Sequence, residues 1–428
     1  MTSIYQGFVL QASYRIQQGK PVVYIFGRLQ DGRTFIVRDH QQRPHFYVRQ
    51  SDARHVVRAR VLQSERVNFA GESLVRVEVD TPQQAPPLRD ALHGMQVPTY
   101  EADVRFAMRY LIDRNIRGGI AIRGEPQHGL GTDLVFDDPE TQPAEVQISP
   151  RVLSFDIETN PQTDRLLAIA CYGCGVDEVV VVDPGSRPMP AHAIGVATEQ
   201  AALAHFSERV RQLDPDVLTG WNVIDFDLSF LARVAERHRY NLQLGREPGA
   251  MRIRPAQGYF GSGHVSIPGR VVLDGIDLLR GAFVKLDDFS LEGVAQVVLG
   301  EGKTLSGRGR EKVAQILDTY AHDLPSFAAY ARTDARLVID IIDKLDVMAL
   351  AFVRSALTGM PPDRVAASIA SFDFLYLSAL QGRGVAAPSV QQSARGGEPQ
   401  GGGAVFEPRV GIHAFVWVFD FKSLYRKY

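Results

Sequence analysis

The sequence has 428 residues, of which 45% are hydrophobic and 22% charged, and its 47 basic and 49 acidic residues give a formal net charge of −2. This composition is typical of a folded globular chain and excludes the disordered and collagen-like classes. Two cysteines are too few for a disulfide scaffold, and no apolar run approaches the roughly 18 residues of a membrane span. We therefore expect a cytoplasmic protein of two or three domains with no membrane partner.

Residues 1–148 alternate between short strand-like runs and turn signals, which indicates a mixed β N-terminal domain. Residues 137–150 contain three prolines and several acids, as a linker does, so we expect the domain to end near residue 148. The predicted elements here are strands over 5–14, 21–28 and 97–102 and helices over 88–94 and 103–114.

Residues 149–360 follow a strand-hairpin-helix-strand-helix order, which predicts an α/β domain with a mixed sheet and makes the whole chain α+β. Residues 361–428 begin with a predicted helix over 363–381 and end with a predicted strand over 415–425. The elements predicted for the central domain are strands over 152–157, 166–173, 178–183, 217–219 and 271–273 and helices over 198–213, 230–238, 310–320 and 324–345.

Carboxylates occur in unusual settings in this central domain. Asp156 and Glu158 lie two residues apart on a predicted strand, so their side chains lie on the same face. Two acids on one face of an apolar strand repel each other unless a cation lies between them. Tyr330 and Asp334 are four residues apart on a predicted helix and therefore share a face. Asp227 follows a loop that runs into a helix.

Each of these features has an ordinary structural explanation when taken by itself. Paired acids on a strand are common at protein surfaces, Asp227 alone would cap a helix, and Tyr330 and Asp334 alone would form a polar helix face. Together they are the parts needed for two-metal hydrolysis of a phosphodiester. Carboxylate oxygens suit Mg²⁺ or Mn²⁺, and a tyrosine one turn before a ligand can orient the attacking water.

Three motifs carry a resemblance to a known family. Residues 155–159 (FDIET), 222–227 (NVIDFD) and 330–334 (YARTD) resemble, in order, the three motifs of the DnaQ-like (DEDDy) 3′→5′ exonucleases. Residues 100–105 (YEADVR) and 220–222 (GWN) narrow the resemblance to family B DNA polymerases, and within them to the bacterial polymerase II type.

The resemblance implies an N-terminal polymerase domain over 1–148 and an RNase H-like (DnaQ-like) exonuclease domain over 149–360. It also implies four ligands for two Mg²⁺ or Mn²⁺ ions, one residue that positions the attacking water, and two residues beside the 3′-terminal nucleotide. The metal ligands would be Asp156, Glu158, Asp227 and Asp334. Tyr330 would position the attacking water, and Asn222 and Phe226 would lie beside the 3′-terminal nucleotide.

Residues 419–425 (FDFKSLY) resemble polymerase motif A, in which Asp420 would be a catalytic aspartate and Tyr425 would screen out the ribose 2′-hydroxyl. We expect 361–428 to be a helical linker followed by a truncated start of the palm, with Asp420 and Tyr425 as a vestigial polymerase site. Primer extension needs a second aspartate motif, fingers and thumb, so it is not expected from this chain.

The predicted function is therefore proofreading, the 3′→5′ hydrolysis of single-stranded or mispaired DNA ends. DNA is the expected partner; a sliding clamp is a candidate partner of a full-length relative and is not expected for this chain. Two alternatives remain open: a non-catalytic DNA-binding fragment, whose binding would not depend on Asp156, and an unstable fragment without activity.

Overall fold

The computed structural model describes residues 3–254, 263–301, 310–390 and 409–419. No helix in these ranges is both long enough and apolar enough to cross a membrane. The strands are β1 (Ile4–Gln17), β2 (Lys20–Leu29), β3 (Thr34–Asp39), β4 (His45–Arg49), β5 (Arg60–Val67), β6 (Ser73–Glu78), β7 (Thr99–Tyr100), β8 (Gly119–Arg123), β9 (Gln127–His128), β10 (Leu134–Asp137), β11 (Glu140–Pro143), β12 (Val152–Asn160), β13 (Arg165–Gly173), β14 (Val176–Val182), β15 (Ala193–Val196), β16 (Val217–Gly220), β17 (Arg252–Arg254), β18 (His264–Ser266) and β19 (Val271–Asp274). The helices are α1 (Ala85–Gly94), α2 (Phe106–Asp113), α3 (Glu199–Leu213), α4 (Ser229–Arg237), α5 (Gly275–Gly281), α6 (Leu291–Val298), α7 (Arg310–His322), α8 (Leu324–Lys344), α9 (Val347–Thr358) and α10 (Ser368–Gln381).

The N-terminal region forms two sheets. One has seven strands in the order β11-β8-β1-β2-β3-β10-β9, and the other has four in the order β5-β6-β4-β7. The β1–β2 hairpin turns at Gln18 and Gly19, whose φ angles are 50° and 78°. A two-residue hairpin turn of this kind needs positive φ at both positions, which matches the right-handed twist of the strands. Helix α2 packs on the larger sheet through Phe106, Tyr110 and Leu111.

The central region forms a six-stranded sheet in the order β15-β14-β13-β12-β16-β19. Strands β12, β13 and β14 are antiparallel neighbours, whereas β16 runs parallel to both β12 and β19. Helices α3 and α4 cover one face of this sheet and α8 covers the other. This central region follows the sheet-rich N-terminal region. Its mixed sheet between two helical layers confirms the α/β, RNase H-like fold expected for it.

The two regions pack against each other through shared cores. Phe8 and Leu10 of β1 join a core with Val217 of β16 and residues of α8 and α9. Phe374 of α10 packs into the core of the seven-stranded sheet. The chain after α10 then returns to the four-stranded sheet, where the Ala386 N–H donates to the Val67 carbonyl. Phe374 and Ala386 therefore anchor this part of the chain on the two sheets of the N-terminal region.

Several predicted boundaries move in the structure. The expected linker 137–150 contains β11, which pairs with β8, and the helix predicted from residue 363 begins at Ser368. Helix α1 begins three residues before the predicted 88–94, because prolines fit the first helical turn, where no N–H is needed. The prediction of a strand from residue 415 is wrong for 415–419. A strand needs a neighbour for its backbone hydrogen bonds, and none of the described strands pairs with this exposed segment.

Candidate active site

Strand β12 carries two carboxylates on one face because its side chains alternate. Phe155 and Ile157 point into the core formed with α3 and α4. Asp156 and Glu158 therefore point to the opposite face, which α8 covers. The β12–β13 register shifts between Glu158 and Thr159, so the regular pairing of the two strands changes directly after the second acid. This local arrangement is the one that the period-2 pattern predicted.

Helix α8 brings a third carboxylate to the same face. One carboxylate oxygen from each of Asp156, Glu158 and Asp334 lies within 4.8 Å of the other two. Glu158 is 7% exposed and Asp334 is 4% exposed, so their charges are largely removed from water. Three carboxylates this close repel one another unless protons or a cation compensate the charge. Hard oxygen donors in such a group fit Mg²⁺ or Mn²⁺.

Asp227 lies beside this group but is held differently. It sits in a π-helical turn, Val223–Leu228, between β16 and α4, and it is only 1% exposed. Its Oδ1 accepts a hydrogen bond from the Ile157 N–H at 3.0 Å. Burial raises the pKa of Asp227 well above its usual range, and the negative charge of Asp156 raises it further. Of the four predicted ligands, three converge within 4.8 Å and Asp227 adjoins them through the backbone of β12.

Tyr330 lies one helical turn before Asp334 and is buried. Burial raises the pKa of its hydroxyl above the usual value, and the carboxylates of Asp334 and Glu158 raise it further. Lys312 of α7 lies over the Tyr330 ring, with its Nζ 5.5 Å from the ring centroid. The hydroxyl therefore stays protonated at neutral pH, close to the carboxylates, while the Lys312 ammonium lies over the ring.

Asn222 and Phe226 begin and end one short turn of chain. Asn222 adopts a left-handed conformation with φ 59° directly before the π-helical turn. It lines a cavity of about 330 Å³ together with Trp221, Asp274 and Arg280. Phe226 is 45% exposed, and its ring centroid is 6.4 Å from that of Phe230. An exposed aromatic ring beside buried carboxylates offers a face on which a base could stack.

Two features near the site were not anticipated from the sequence. Lys312 reaches Tyr330 from a different helix, and no spacing rule links the two positions. Asp274 caps α5, because its Oδ1 accepts from the Ile276 N–H at 2.9 Å. Its Oδ2 also accepts from the Ile224 N–H at 3.4 Å, a long-range contact without any local signal. Asp420 and Tyr425 lie outside the described residues.

Comparison with known proteins places this geometry in a family. A family model described as the exonuclease domain of DNA polymerase family B matches residues 97–294. The chain is 33% identical over 333 residues to DNA polymerase II of Escherichia coli K12. The aligned region covers 77% of this chain and 41% of that protein. The chain is 27% identical to DNA polymerase 2 of Aeropyrum pernix, covering 97% of this chain and 54% of that protein.

A solved structure agrees with this result at the level of the fold. The family B DNA polymerase of Pyrobaculum calidifontis matches with a TM-score of 0.71 at 24% identity, covering 94% of this chain and 54% of that one. The chain thus spans about half the length of the relatives it matches. The mixed sheet, the acids on β12 and the matched residues 97–294 are mutually consistent. We conclude that this chain belongs to the family B DNA polymerases and carries their exonuclease domain.

Proposed function

We propose that this chain is a divalent-metal-dependent 3′→5′ exonuclease that removes nucleotides from single-stranded or mispaired DNA 3′ ends. The observation that carries the proposal is the group of three carboxylates within 4.8 Å of one another, two of them buried. This group lies in a chain that carries the exonuclease domain of the family B DNA polymerases. Proofreading is the role that such an activity has beside a polymerase. The division into 1–148, 149–360 and 361–428 belongs to the same proposal.

Asp156, Glu158 and Asp334 would hold the metal, with Asp227 as the further ligand that the resemblance implies. Bound Mg²⁺ or Mn²⁺, as two ions, would supply an activated water nucleophile and charge stabilisation at the phosphate. The burial of Asp227 beside Asp156 supports this role, because the neutral form that burial favours would give way to the charged form once a cation is near.

Tyr330 would position the attacking water by donating its hydroxyl hydrogen or accepting from the water. Only a protonated hydroxyl can donate to the water, and the raised pKa of Tyr330 keeps its hydroxyl protonated. Phe226 would stack on the terminal base with its exposed ring, and Asn222 would offer its side-chain amide to the same nucleotide. A base must leave the duplex to stack in this way, which would favour single-stranded and mispaired ends.

A basic cleft supports DNA as the partner. A cavity of about 540 Å³ lies between the N-terminal region and the β17–β18 hairpin, and six arginines contribute to its lining. Burial lowers the pKa of Arg364 in this cleft, and the positive charge of Arg105 lowers it further, so positive charges are crowded here. Such a cleft attracts a phosphate backbone. The arginines are Arg89, Arg105, Arg109, Arg252, Arg254 and Arg364, of which Arg109 is buried and paired with Glu101.

The test is incubation of the purified chain with a 5′-labelled single-stranded oligonucleotide and Mg²⁺ or Mn²⁺. Parallel samples carry Asp156→Ala with Glu158→Ala, or contain EDTA. We expect a ladder of stepwise 3′ shortening that both controls abolish. A chain that melts cooperatively and binds the oligonucleotide but never shortens it would overturn the proposal and favour a non-catalytic DNA-binding fragment.

A further inference from the structure

The turn that carries Asp227 and Phe226 lies where two parallel strands end. Strands β16 and β19 are neighbours, and Gly220 at the end of one pairs with Asp274 at the end of the other. Carboxyl ends of parallel strands lie at one edge of a sheet, which is where α/β proteins build their sites. A Cβ on Gly220 would lie 2.6 Å from the Phe155 carbonyl oxygen, so the chain turns in very close contact with β12.

This turn has few local means of holding its shape. Asn222 adopts a left-handed conformation, and no side chain caps the π-helical turn that follows it. Trp221 fixes one side of the turn, because its indole N–H donates to the Phe289 carbonyl at 2.8 Å. The other side depends on a contact from β19.

Asp274 supplies that contact. Its Oδ2 accepts from the Ile224 N–H at 3.4 Å and its Oδ1 accepts from the Ile276 N–H at 2.9 Å. Asp274 is 6% exposed, so water is a poor substitute for either bond. One carboxylate therefore ties the first residues of the π-helical turn to the first turn of α5. Three residues after Ile224, Asp227 accepts its own bond from β12.

We propose that Asp274 is a positioning residue of the nuclease site, which holds the Asn222–Asp227 turn so that Asp227 stays beside the metal-binding carboxylates. This inference rests on the proposed function. The side chain of Asp274 does not belong to the group of three carboxylates and acts through the backbone of Ile224. Loss of such outer contacts typically weakens metal binding by one to two orders of magnitude.

The experiment compares Asp274→Ala, which removes both acceptors, with Asp274→Asn, which can retain only one of the two bonds. Thr198→Ala is the matched control, since Thr198 caps α3 in the same way, with an exposed side chain that accepts from the Ala201 N–H. Mn²⁺ affinity is measured by calorimetry and the Mn²⁺ dependence of the shortening rate by gel. The KM for the oligonucleotide and the thermal melt are recorded for every variant.

We expect Asp274→Ala to weaken Mn²⁺ binding about tenfold, with a matching rise in the Mn²⁺ concentration for half-maximal rate. Asp274→Asn should fall between this variant and the wild type, and Thr198→Ala should stay within about twofold of wild type. Both Asp274 variants lose the same charge, so the difference between them reports the hydrogen bonds. A loss of folded protein would lower the amplitude of binding without changing its affinity.

Wild-type Mn²⁺ affinity in a cooperatively melting Asp274→Ala would overturn the inference. If that variant does not fold, wild-type affinity in Asp274→Asn would overturn it equally. A wild-type chain that binds Mn²⁺ but shortens no oligonucleotide would refute the proposed function, and the Mn²⁺ titrations would still decide the role of Asp274. A wild-type chain that binds no Mn²⁺ would overturn both.

Discussion

A buried ion network joins the N-terminal region to the exonuclease domain, and Asp216 is at its centre. Its Oδ1 accepts from Arg246 Nη2 at 2.8 Å and its Oδ2 accepts from Arg28 Nε at 2.5 Å. Arg28 belongs to β2 of the seven-stranded sheet, whereas Asp216 directly precedes β16. The side chains of Asp216 and Arg246 are both 0% exposed. Asp216→Asn would therefore leave buried positive charge without its partner.

The size of the loss follows from this burial. Removal of one partner from a buried ion pair costs about 3–5 kcal/mol. Asp214 remains and still accepts from Arg246 Nε and Arg270 Nη1, each at 2.8 Å. We expect a loss at the lower end of the range, about 3 kcal/mol.

Urea unfolding measures this loss. Trp221 lies in the exonuclease domain and is partly buried, whereas Trp417 is 78% exposed, so the fluorescence change reports mainly on that domain. With a slope of about 3 kcal/mol per molar urea, the midpoint should fall by about 1 M. The control is Asp31→Asn, which breaks an exposed pair with Arg33 and should cost about 1 kcal/mol at most. Equal losses in the two variants would refute the reasoning.

Four further predictions concern the site and the cleft. Glu158→Gln removes one charge from the carboxylate group, so the shortening rate should fall about a thousandfold while oligonucleotide affinity, measured by anisotropy, stays within about twofold; an active variant would contradict the metal-site assignment. Tyr330→Phe should slow shortening about a hundredfold, and since burial keeps the pKa of Tyr330 above its usual value, the alkaline side of the pH–rate profile should be unchanged; a profile that shifts would contradict this. Burial raises the pKa of Asp274 to about 6, so the folded state binds this proton more tightly than the unfolded state and the resulting stability is lost as pH rises from about 4 through 6. In EDTA, the urea midpoint of the wild type should fall as the pH rises from about 4 to about 6, and the midpoint of Asp274→Asn should fall less. In the basic cleft, Arg105→Ala and Arg252→Ala should each reduce the slope of log affinity against log salt by about one, and an unchanged slope would exclude phosphate contacts there.

The sequence predicted those parts of the site that a single element builds. Asp156 and Glu158 share a face because a strand repeats every two residues, and Tyr330 and Asp334 share one because a helix repeats every 3.6. Both placements depend only on backbone geometry within one segment. The order of the motifs then identified the fold, which the mixed sheet and the family match confirm.

The predicted role of Asp227 shows where local reasoning stops. Its motif placed it with the other acids, but the structure holds it by the Ile157 N–H, 70 positions away in sequence. Its burial also depends on the packing of the turn against β12. The strand predicted from residue 415 failed for a related reason, since an apolar run forms a strand only beside a partner.

The amino-acid sequence by itself therefore determined the fold family, the strand and the helix that carry the acids, and which acids share a face. Only the tertiary structure decided that three carboxylates converge, that Lys312 lies over Tyr330, and that the Asp274 carboxylate accepts from the Ile224 N–H. The Arg28–Asp216 ion pair, whose residues are 188 positions apart, is another contact that only the tertiary structure decided. Backbone repeats set directions within one element, whereas contacts between elements depend on how distant segments pack, and no local period encodes that packing.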